Sequence, residues 1–259
     1  MNDQERIRFL IVGTYRSGSS AVTEAMNSHP GILCGLEWTL RTPFWKKLHV
    51  AKTALTGDFS TLLPRHRDAA RSGFSPATRV IGFKRLFRSS DKWMIHPKFA
   101  PALAVDRLEA HLDWLASDSS IRVIHIVRRD NIAWLRSKVL ADASGKYSGS
   151  KYPDGLQLRI DVNEAKRRVA TKTWIDGRLA ALSVSNPYCR VDYESFAADN
   201  RRVARELVSF LGCDPEELPE RDLRHQSQSA SSAASLLNID DVRHALRERT
   251  QVPSERMSL

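Results

Sequence analysis

The chain has 259 residues, a net charge of +10 and a pI of about 9.8, and 42% of its residues are hydrophobic. These proportions are ordinary for a soluble globular protein, and no linker divides the chain, so we predict a single domain over residues 1–259. The positive charge favours an anionic partner. However, the basic residues are scattered and no nucleic-acid-binding motif is present, which argues against nucleic acid and leaves a solvated Arg-rich surface as the plain alternative.

The three cysteines are too few for a disulfide framework, and the first apolar run is too short for a signal peptide or a membrane span. A reducing, cytoplasmic setting is therefore expected.

Short apolar runs alternate with amphipathic segments along the chain. The strands are predicted at 7–13, 31–35, 79–84, 121–127 and 188–193, and the helices at 19–28, 44–56, 102–117, 131–143, 161–183, 201–211 and 239–249. The stretches 57–78 and 144–158 are predicted as loops. The alternation predicts an α/β fold with a central, mostly parallel sheet flanked by helices. In such folds ligands bind beyond the carboxyl ends of the strands.

The segment Gly13–Ser20, here called the phosphate loop, lies between the first strand and the first helix. Glycines and a helix N-terminus at this position are typical of a phosphate-binding loop. The segment nearly fits G-x-x-x-x-G-K-[ST], but Ser19 replaces the lysine and Arg16 carries the positive charge instead. The alternative is a Gly/Ser turn that only caps a helix.

A second basic strand end follows residues 121–127. Arg129 lies in the turn there, and Ser137 comes eight residues later in the next helix, so the two could bind a second phosphate. No aspartate ends this strand to help hold magnesium, which predicts a nucleotide bound without metal. Otherwise the arginine is solvated and the serine is an ordinary helix residue.

These residues resemble the sulfotransferase superfamily, whose donor is 3′-phosphoadenosine 5′-phosphosulfate (PAPS). Tyr15–Ser20 looks like its 5′-phosphosulfate loop, P-R-S-G-[ST]-[ST], with Tyr15 in place of proline, and Arg129 with Ser137 looks like its 3′-phosphate motif. The run RSGSSAVTEAMNSHPGILCGLE is similar to bacterial carbohydrate-type and tyrosylprotein sulfotransferases, and VDYESFAADNRRVARELVSFLG resembles a later segment, Y-E-D-L…FLG. His225 stands where related chains carry the lysine of an R-K-Q segment.

The resemblance implies a P-loop-like fold, PAPS as co-substrate, adenosine 3′,5′-bisphosphate as product and no metal. The cofactor-binding residues that it implies are Arg16, Ser17, Gly18, Ser19, Ser20, Arg129 and Ser137.

The resemblance also implies three catalytic residues. Glu37, which follows the second strand, is the expected general base, and Lys84 is expected to neutralise charge on the sulfate oxygens or the bridging oxygen. Arg16, the cation of the phosphate loop, is the third expected catalytic residue. Many cytosolic members carry a histidine base two residues after the lysine, but Leu86 occupies that position here. Without the resemblance, Glu37 would be a surface glutamate and Lys84 a solvated lysine. Of the histidines, His29 is expected to be structural, and His66, His96 and His111 have no evident partner.

The acceptor is expected to face the loops 44–78 and 144–160, whose aromatic residues could stack on sugars and whose cations could hold an anionic polymer. These residues are Phe44, Trp45, Tyr147 and Tyr152, with Lys46, Lys47, Arg65, Lys146 and Lys151. A carbohydrate hydroxyl is the first expectation and a phenolic or tyrosyl hydroxyl the second. Two rival functions are a nucleotide kinase with a degenerate phosphate loop and a basic, non-enzymatic glycan-binding module.

Overall fold

The fold is built on a parallel β-sheet. The computed structural model describes residues 7–35, 78–87, 108–109, 112–145, 152–219 and 235–248. Its strands are β1 (Ile7–Thr14), β2 (Ile32–Gly35), β3 (Val80–Phe87), β4 (Arg122–Val127), β5 (Gln157–Leu158), β6 (Tyr188–Asp192) and β7 (Ser235–Leu236). Within the described residues, five of them form one sheet in the order β2-β3-β1-β4-β6, with every neighbouring pair parallel. The predicted α/β fold with a parallel central sheet is confirmed.

Helices cover both faces of this sheet. They are α1 (Ser19–Met26), α2 (Asn131–Ser144), α3 (Val162–Ala180), α4 (Tyr193–Ala198), α5 (Asn200–Phe210) and α6 (Ile239–Glu248), and residues 112–116 are also helical. Three helices begin at an aspartate whose side chain accepts a hydrogen bond from a first-turn amide: Asp130 for α2, Asp161 for α3 and Asp199 for α5. Such caps satisfy amides that lack a partner within the helix, so the aspartate determines where each of these three helices begins.

Side chains of β1 alternate between two buried faces. Phe9 and Ile11 pack in one cluster with residues of α1 and α5, such as Leu207. Val12 packs on the opposite face with residues of α3, such as Ile175. Burial on both faces is why these strands are apolar runs without a polar alternation.

A second, two-stranded sheet ties the late part of the chain to the middle. β5 pairs with β7 in parallel, and α6 packs against α2 and α3. Sequence reasoning assigned the β5 residues to a loop, because a two-residue strand gives no periodic signal.

Other differences are local. The predicted helix 161–183 ends at Ala180 and continues as a 3₁₀ helix, and α4 was not predicted because it directly abuts β6. The predicted helix 44–56, nearly all of the loop 57–78 and the residues 146–151 lie outside the described residues.

All three cysteines are free thiols, and Cys34 is buried in the core. Of the helices that the structure describes, none combines the length and apolarity needed to cross a bilayer.

Candidate active site

The carboxyl ends of β1, β4 and β6 lie side by side at one edge of the sheet. Gly13 in β1 is in register with Ile126 in β4, and Val127 is in register with Asp192 at the end of β6. The segments that follow these strands therefore meet there: the phosphate loop after β1, Arg128 and Arg129 after β4, and the start of α4 after β6. This is the edge at which the sequence predicted a ligand.

The phosphate loop passes from β1 to α1 through a tight turn. The Ser17 amide donates a hydrogen bond to the Thr14 carbonyl at 3.3 Å, and Arg16 between them has φ = 67°. Among the described residues, Arg16 is the only non-glycine residue with a positive φ. A left-handed conformation costs an L-residue about 1–2 kcal/mol, so the surrounding contacts must hold it in place.

Two glycines of the loop have no room for a side chain. A Cβ at Gly13 would lie 2.6 Å from the Ile126 carbonyl oxygen, which belongs to the neighbouring strand. Gly18 has φ = 93°, and a Cβ there would lie 2.1 Å from the ring of Tyr193. Glycine is thus required at both positions by close packing, and at Gly18 also by the backbone conformation.

A buried hydroxyl lies in the middle of the loop. Ser17 is fully buried, and within the described residues its Oγ has no hydrogen-bond partner. Buried hydroxyls are normally hydrogen-bonded, so Ser17 Oγ has the capacity to donate to an anion held by the loop. The residues present therefore fit a phosphate or sulfate group.

Lys84 approaches the loop from the neighbouring strand. Its Nζ donates to Ser20 Oγ at 3.1 Å, and the residue is 5% exposed. The expectation that Lys84 ends its strand is wrong: β3 continues to Phe87, because its last residues pair with the end of β1. Lys84 is nevertheless buried beside the first turn of α1, and is not the solvated lysine of the alternative interpretation.

The Arg16 side chain crosses from the loop to α2. Its Nε donates to Ser137 Oγ at 2.9 Å, and its Nη2 donates to the Tyr152 hydroxyl at 3.1 Å. Ser137 is 2% exposed. The structure therefore brings together Arg16 and Ser137, one from each of the two predicted phosphate motifs.

The two adjacent arginines point in different directions. Arg128 is 8% exposed; its guanidinium stacks on the Tyr193 ring at 4.8 Å, and Nη1 lies 3.4 Å from the Arg16 carbonyl oxygen. Burial lowers the pKa of Arg128, while the neighbouring Tyr193 and Glu194 oppose that shift. Arg128 thus contacts the backbone of the phosphate loop at the Arg16 carbonyl group.

Arg129 faces outward. Its side chain is 59% exposed, and its Nε lies 3.4 Å from Asp192 and 4.0 Å from Glu194. The Ser137 hydroxyl bonds Arg16 in this structure, so the predicted pair of Arg129 and Ser137 is not joined directly. Arg129 directly precedes Asp130, the N-cap of α2, and Ser137 lies about two turns into the helix.

Glu194 holds the backbone around Arg129. Its two carboxylate oxygens accept from the amides of Arg129 and Asp130 at 3.1 and 3.0 Å. Burial would raise the pKa of Glu194, but hydrogen bonds from backbone amides and the charge of Arg128 outweigh that effect, and the pKa is lowered. Glu194 therefore stays ionised and fixes the start of α2.

Sequence reasoning missed the roles of Arg128, Tyr193 and Glu194. The strand pattern gave no signal for Arg128, because residues of both parities in β4 are buried and parity therefore does not distinguish Arg128 from Arg129. Tyr193 and Glu194 belong to the segment VDYESF, which resembles the family's Y-E-D-L segment. The Tyr193 ring occupies the space beside Gly18, and Glu194 bonds the backbone at Arg129.

His29 is structural, as expected. It is 2% exposed, its Nδ1 accepts from the Gly31 amide at 3.0 Å, and its Nε2 lies 3.0 Å from the Asp214 carbonyl oxygen.

The predicted base, Glu37, lies outside the described residues. So do the following residues, which were considered for the acceptor site, the base or the R-K-Q segment: Phe44, Trp45, Lys46, Lys47, Arg65, His66, His96, His111, Lys146, Tyr147, Lys151 and His225.

Comparison with known proteins gives one broad match. The sequence model described as "Sulfotransferase family" matches residues 8–217, a range that includes the phosphate loop, both arginines and Glu194. A search of curated proteins gave no match.

Among solved structures, the chain is similar to a sulfotransferase from Alicyclobacillus acidocaldarius, with 15% identity over 95% of this chain and 91% of that one and a TM-score of 0.48. It is also similar to the sulfotransferase domain of the olefin synthase from Synechococcus PCC 7002, with 15% identity over 97% and 98% of the two chains and a TM-score of 0.36. For the sulfotransferase STF9 from Mycobacterium avium, the identity is 11% over 94% of this chain and 76% of that one, with a TM-score of 0.40.

Proposed function

This chain belongs to the sulfotransferase family, and we propose that the sulfuryl group it transfers comes from PAPS and goes to a carbohydrate hydroxyl. The observation that carries the donor assignment is the phosphate loop, where a left-handed Arg16 and a close-packed Gly18 place buried Ser17 at the start of α1. This arrangement offers an anion a helix N-terminus, a hydroxyl donor and nearby cations.

We assign the 5′-phosphosulfate to the phosphate loop, with Arg16, Ser17, Gly18, Ser19 and Ser20 as its ligands. The support is the buried Ser17 hydroxyl and the ammonium of Lys84 beside Ser20.

We assign the 3′-phosphate to Arg129 and Ser137, which lie at the start of α2 and about two turns into it. For this, Arg129 exchanges carboxylate partners for a phosphate, and Ser137 Oγ turns from Arg16 toward the ligand. Arginine binds phosphate by charge-assisted hydrogen bonds, which makes the first exchange favourable.

The proposed reaction is an in-line displacement at sulfur. The acceptor oxygen forms a bond to sulfur, the bond from sulfur to the phosphate oxygen breaks, and adenosine 3′,5′-bisphosphate leaves with that electron pair. The proton of the acceptor hydroxyl passes to the Glu37 carboxylate. Lys84 and Arg16 offset the negative charge on the transferring group and on the leaving oxygen.

Strand pairing supports the convergence of Glu37 and Lys84. Gly35, at the end of β2, is in register with Phe83, the residue before Lys84. The chain thus leaves β2 next to Lys84, and Glu37 comes two residues later in the sequence.

Adenosine 3′,5′-bisphosphate is expected to bind with the same affinity in the presence and absence of a metal chelator. The reason is that no aspartate ends the strand before Arg128 to help hold magnesium, and that serine replaces the lysine with which a triphosphate-binding loop reaches the β- and γ-phosphates. Calorimetry with EDTA and with added magnesium measures this, and ATP is the comparison ligand. A strict magnesium requirement, or tighter binding of ATP, would favour a kinase and contradict the proposal.

The acceptor is tested separately with radiolabelled PAPS. Neutral and anionic oligosaccharides, a simple phenol and a tyrosyl peptide are offered at equal hydroxyl concentration. The net charge of +10 favours anionic glycans. Faster transfer to the phenol or the peptide than to every sugar would contradict a carbohydrate acceptor and leave the donor assignment standing.

Replacing Arg129 by alanine is expected to weaken binding of adenosine 3′,5′-bisphosphate by about 10- to 150-fold, since a hydrogen-bonded charge pair contributes about 1.5–3 kcal/mol. The matched control is Arg190→Ala: Arg190 is also about half-exposed and also pairs with Asp192, but it lies within β6. Titration calorimetry of both variants decides the point. Equal affinities for Arg129→Ala and Arg190→Ala would mean that Arg129 only pairs with surface carboxylates.

A further inference from the structure

Tyr152 is absent from the predicted donor site, yet its hydroxyl bonds two of that site's residues. The hydroxyl accepts from Arg16 Nη2 at 3.1 Å and donates to the Ser137 carbonyl oxygen at 3.1 Å. Arg16 Nε in turn donates to Ser137 Oγ at 2.9 Å, which closes a three-residue ring of hydrogen bonds. Tyr152 is 2% exposed, so the expectation that its ring stacks on an acceptor sugar is wrong.

The fold holds the Tyr152 ring rigidly. It packs with Leu140 and Ala141 of α2 and with the partly buried Leu156 and Leu158. The segment after it is pinned by β7, because the Ser235 amide donates to the Leu156 carbonyl at 2.9 Å. The position of the hydroxyl is therefore set by packing that does not depend on Arg16.

We propose that Tyr152 is a positioning residue for the sulfuryl donor, acting through Arg16. This rests on the proposed donor. The contact of the Arg16 guanidinium with Ser137 Oγ is given up when that hydroxyl turns to the 3′-phosphate. The contact with Tyr152 does not involve a proposed donor ligand other than Arg16 itself, so it can persist and keep the guanidinium aimed at the loop.

Tyr152 would favour donor binding because it orients the Arg16 guanidinium before the donor arrives. A free arginine side chain loses substantial rotamer entropy when a ligand fixes it, and a guanidinium that is already oriented loses less. Tyr152 thereby strengthens donor binding without touching the donor.

The test compares Tyr152→Phe with Tyr188→Phe. Both changes remove one phenolic hydroxyl from a hydrogen bond and keep the ring, but the Tyr188 hydroxyl bonds His125 Nδ1, at 2.7 Å, away from the loop. By calorimetry, Tyr152→Phe is expected to weaken binding of adenosine 3′,5′-bisphosphate about tenfold, and Tyr188→Phe less than about twofold. Thermal unfolding of both variants reports on the fold.

A double-mutant cycle separates positioning from general structural support. The Arg16→Lys variant lacks the planar guanidinium that Tyr152 orients. In that background Tyr152→Phe should therefore weaken binding of adenosine 3′,5′-bisphosphate by less than about twofold. The same tenfold loss in both backgrounds, or no loss in Tyr152→Phe, would overturn the inference alone. Failure of the unmodified chain to bind the nucleotide would overturn the proposed donor, and the inference with it.

Discussion

Replacement of Glu37 by glutamine is expected to lower kcat by about 10²–10⁴-fold, the usual cost of removing a general base. The change is nearly isosteric, so the Kd for adenosine 3′,5′-bisphosphate and the thermal unfolding temperature should not change. The loss should fall on kcat, because proton transfer contributes only in the transition state. Steady-state kinetics with a sulfated-product assay provide the measurement.

The pH dependence of kcat gives a second readout for Glu37. A carboxylate base must be deprotonated to act, so the unmodified enzyme should lose activity toward acid pH, and Glu37→Gln should lose that acid limb. Glu24→Gln is the control, since Glu24 is an exposed carboxylate on α1. Near-full activity of Glu37→Gln on a confirmed acceptor would show that another group is the base, and His96 is the first to examine.

The second large effect is expected at Gly18. Gly18→Ala should lower the thermal unfolding temperature and weaken nucleotide binding by about 5- to 150-fold, the factor that corresponds to the cost of its overlap with the Tyr193 ring. The left-handed backbone costs alanine about 1–2 kcal/mol, and overlap with the Tyr193 ring adds about 1–3 kcal/mol. Relief of that overlap requires the loop or the ring to move, and either movement disturbs the site.

Two other glycines are matched controls for Gly18. Gly145 and Gly155 also have positive φ, 67° and 73°, but a Cβ at either would meet nothing within 4 Å. Gly145→Ala and Gly155→Ala should therefore show only the backbone cost and keep their nucleotide affinity. If Gly18→Ala does not fold, the double variant Gly18→Ala/Tyr193→Leu should regain stability. Wild-type affinity in Gly18→Ala would show that the loop does not need this close packing.

The sequence predicted the features that repeat or that sit in local motifs. Apolar runs such as IRVIHIV identified the buried strands, and the order of strands and helices predicted a parallel sheet. The phosphate loop was predicted because its glycines and serines occupy one short segment between a strand and a helix. The strand and loop signals each lie within one short segment, and their order along the chain adds the topology.

The features that the sequence did not predict depend on contacts between distant segments. Tyr152 meets Arg16 across 136 positions, and Glu194 meets the Arg129 amide across 65. Neither residue carries a local pattern that marks its partner. The length of β3 also depends on a distant segment, because the residues after Lys84 continue the strand by pairing with the end of β1.

The pairing of β5 with β7 bears on the order in which parts of the proposed donor site can form during synthesis. β7 and α6 are the last of the described elements to leave the ribosome, after every strand of the central sheet. The nascent chain can therefore form the sheet and the phosphate loop while the segment that carries Tyr152 still lacks its partner strand. We expect about the last tenfold of the affinity for the proposed donor to be acquired at this stage, when β7 pairs with β5 and the segment that carries Tyr152 is held in place.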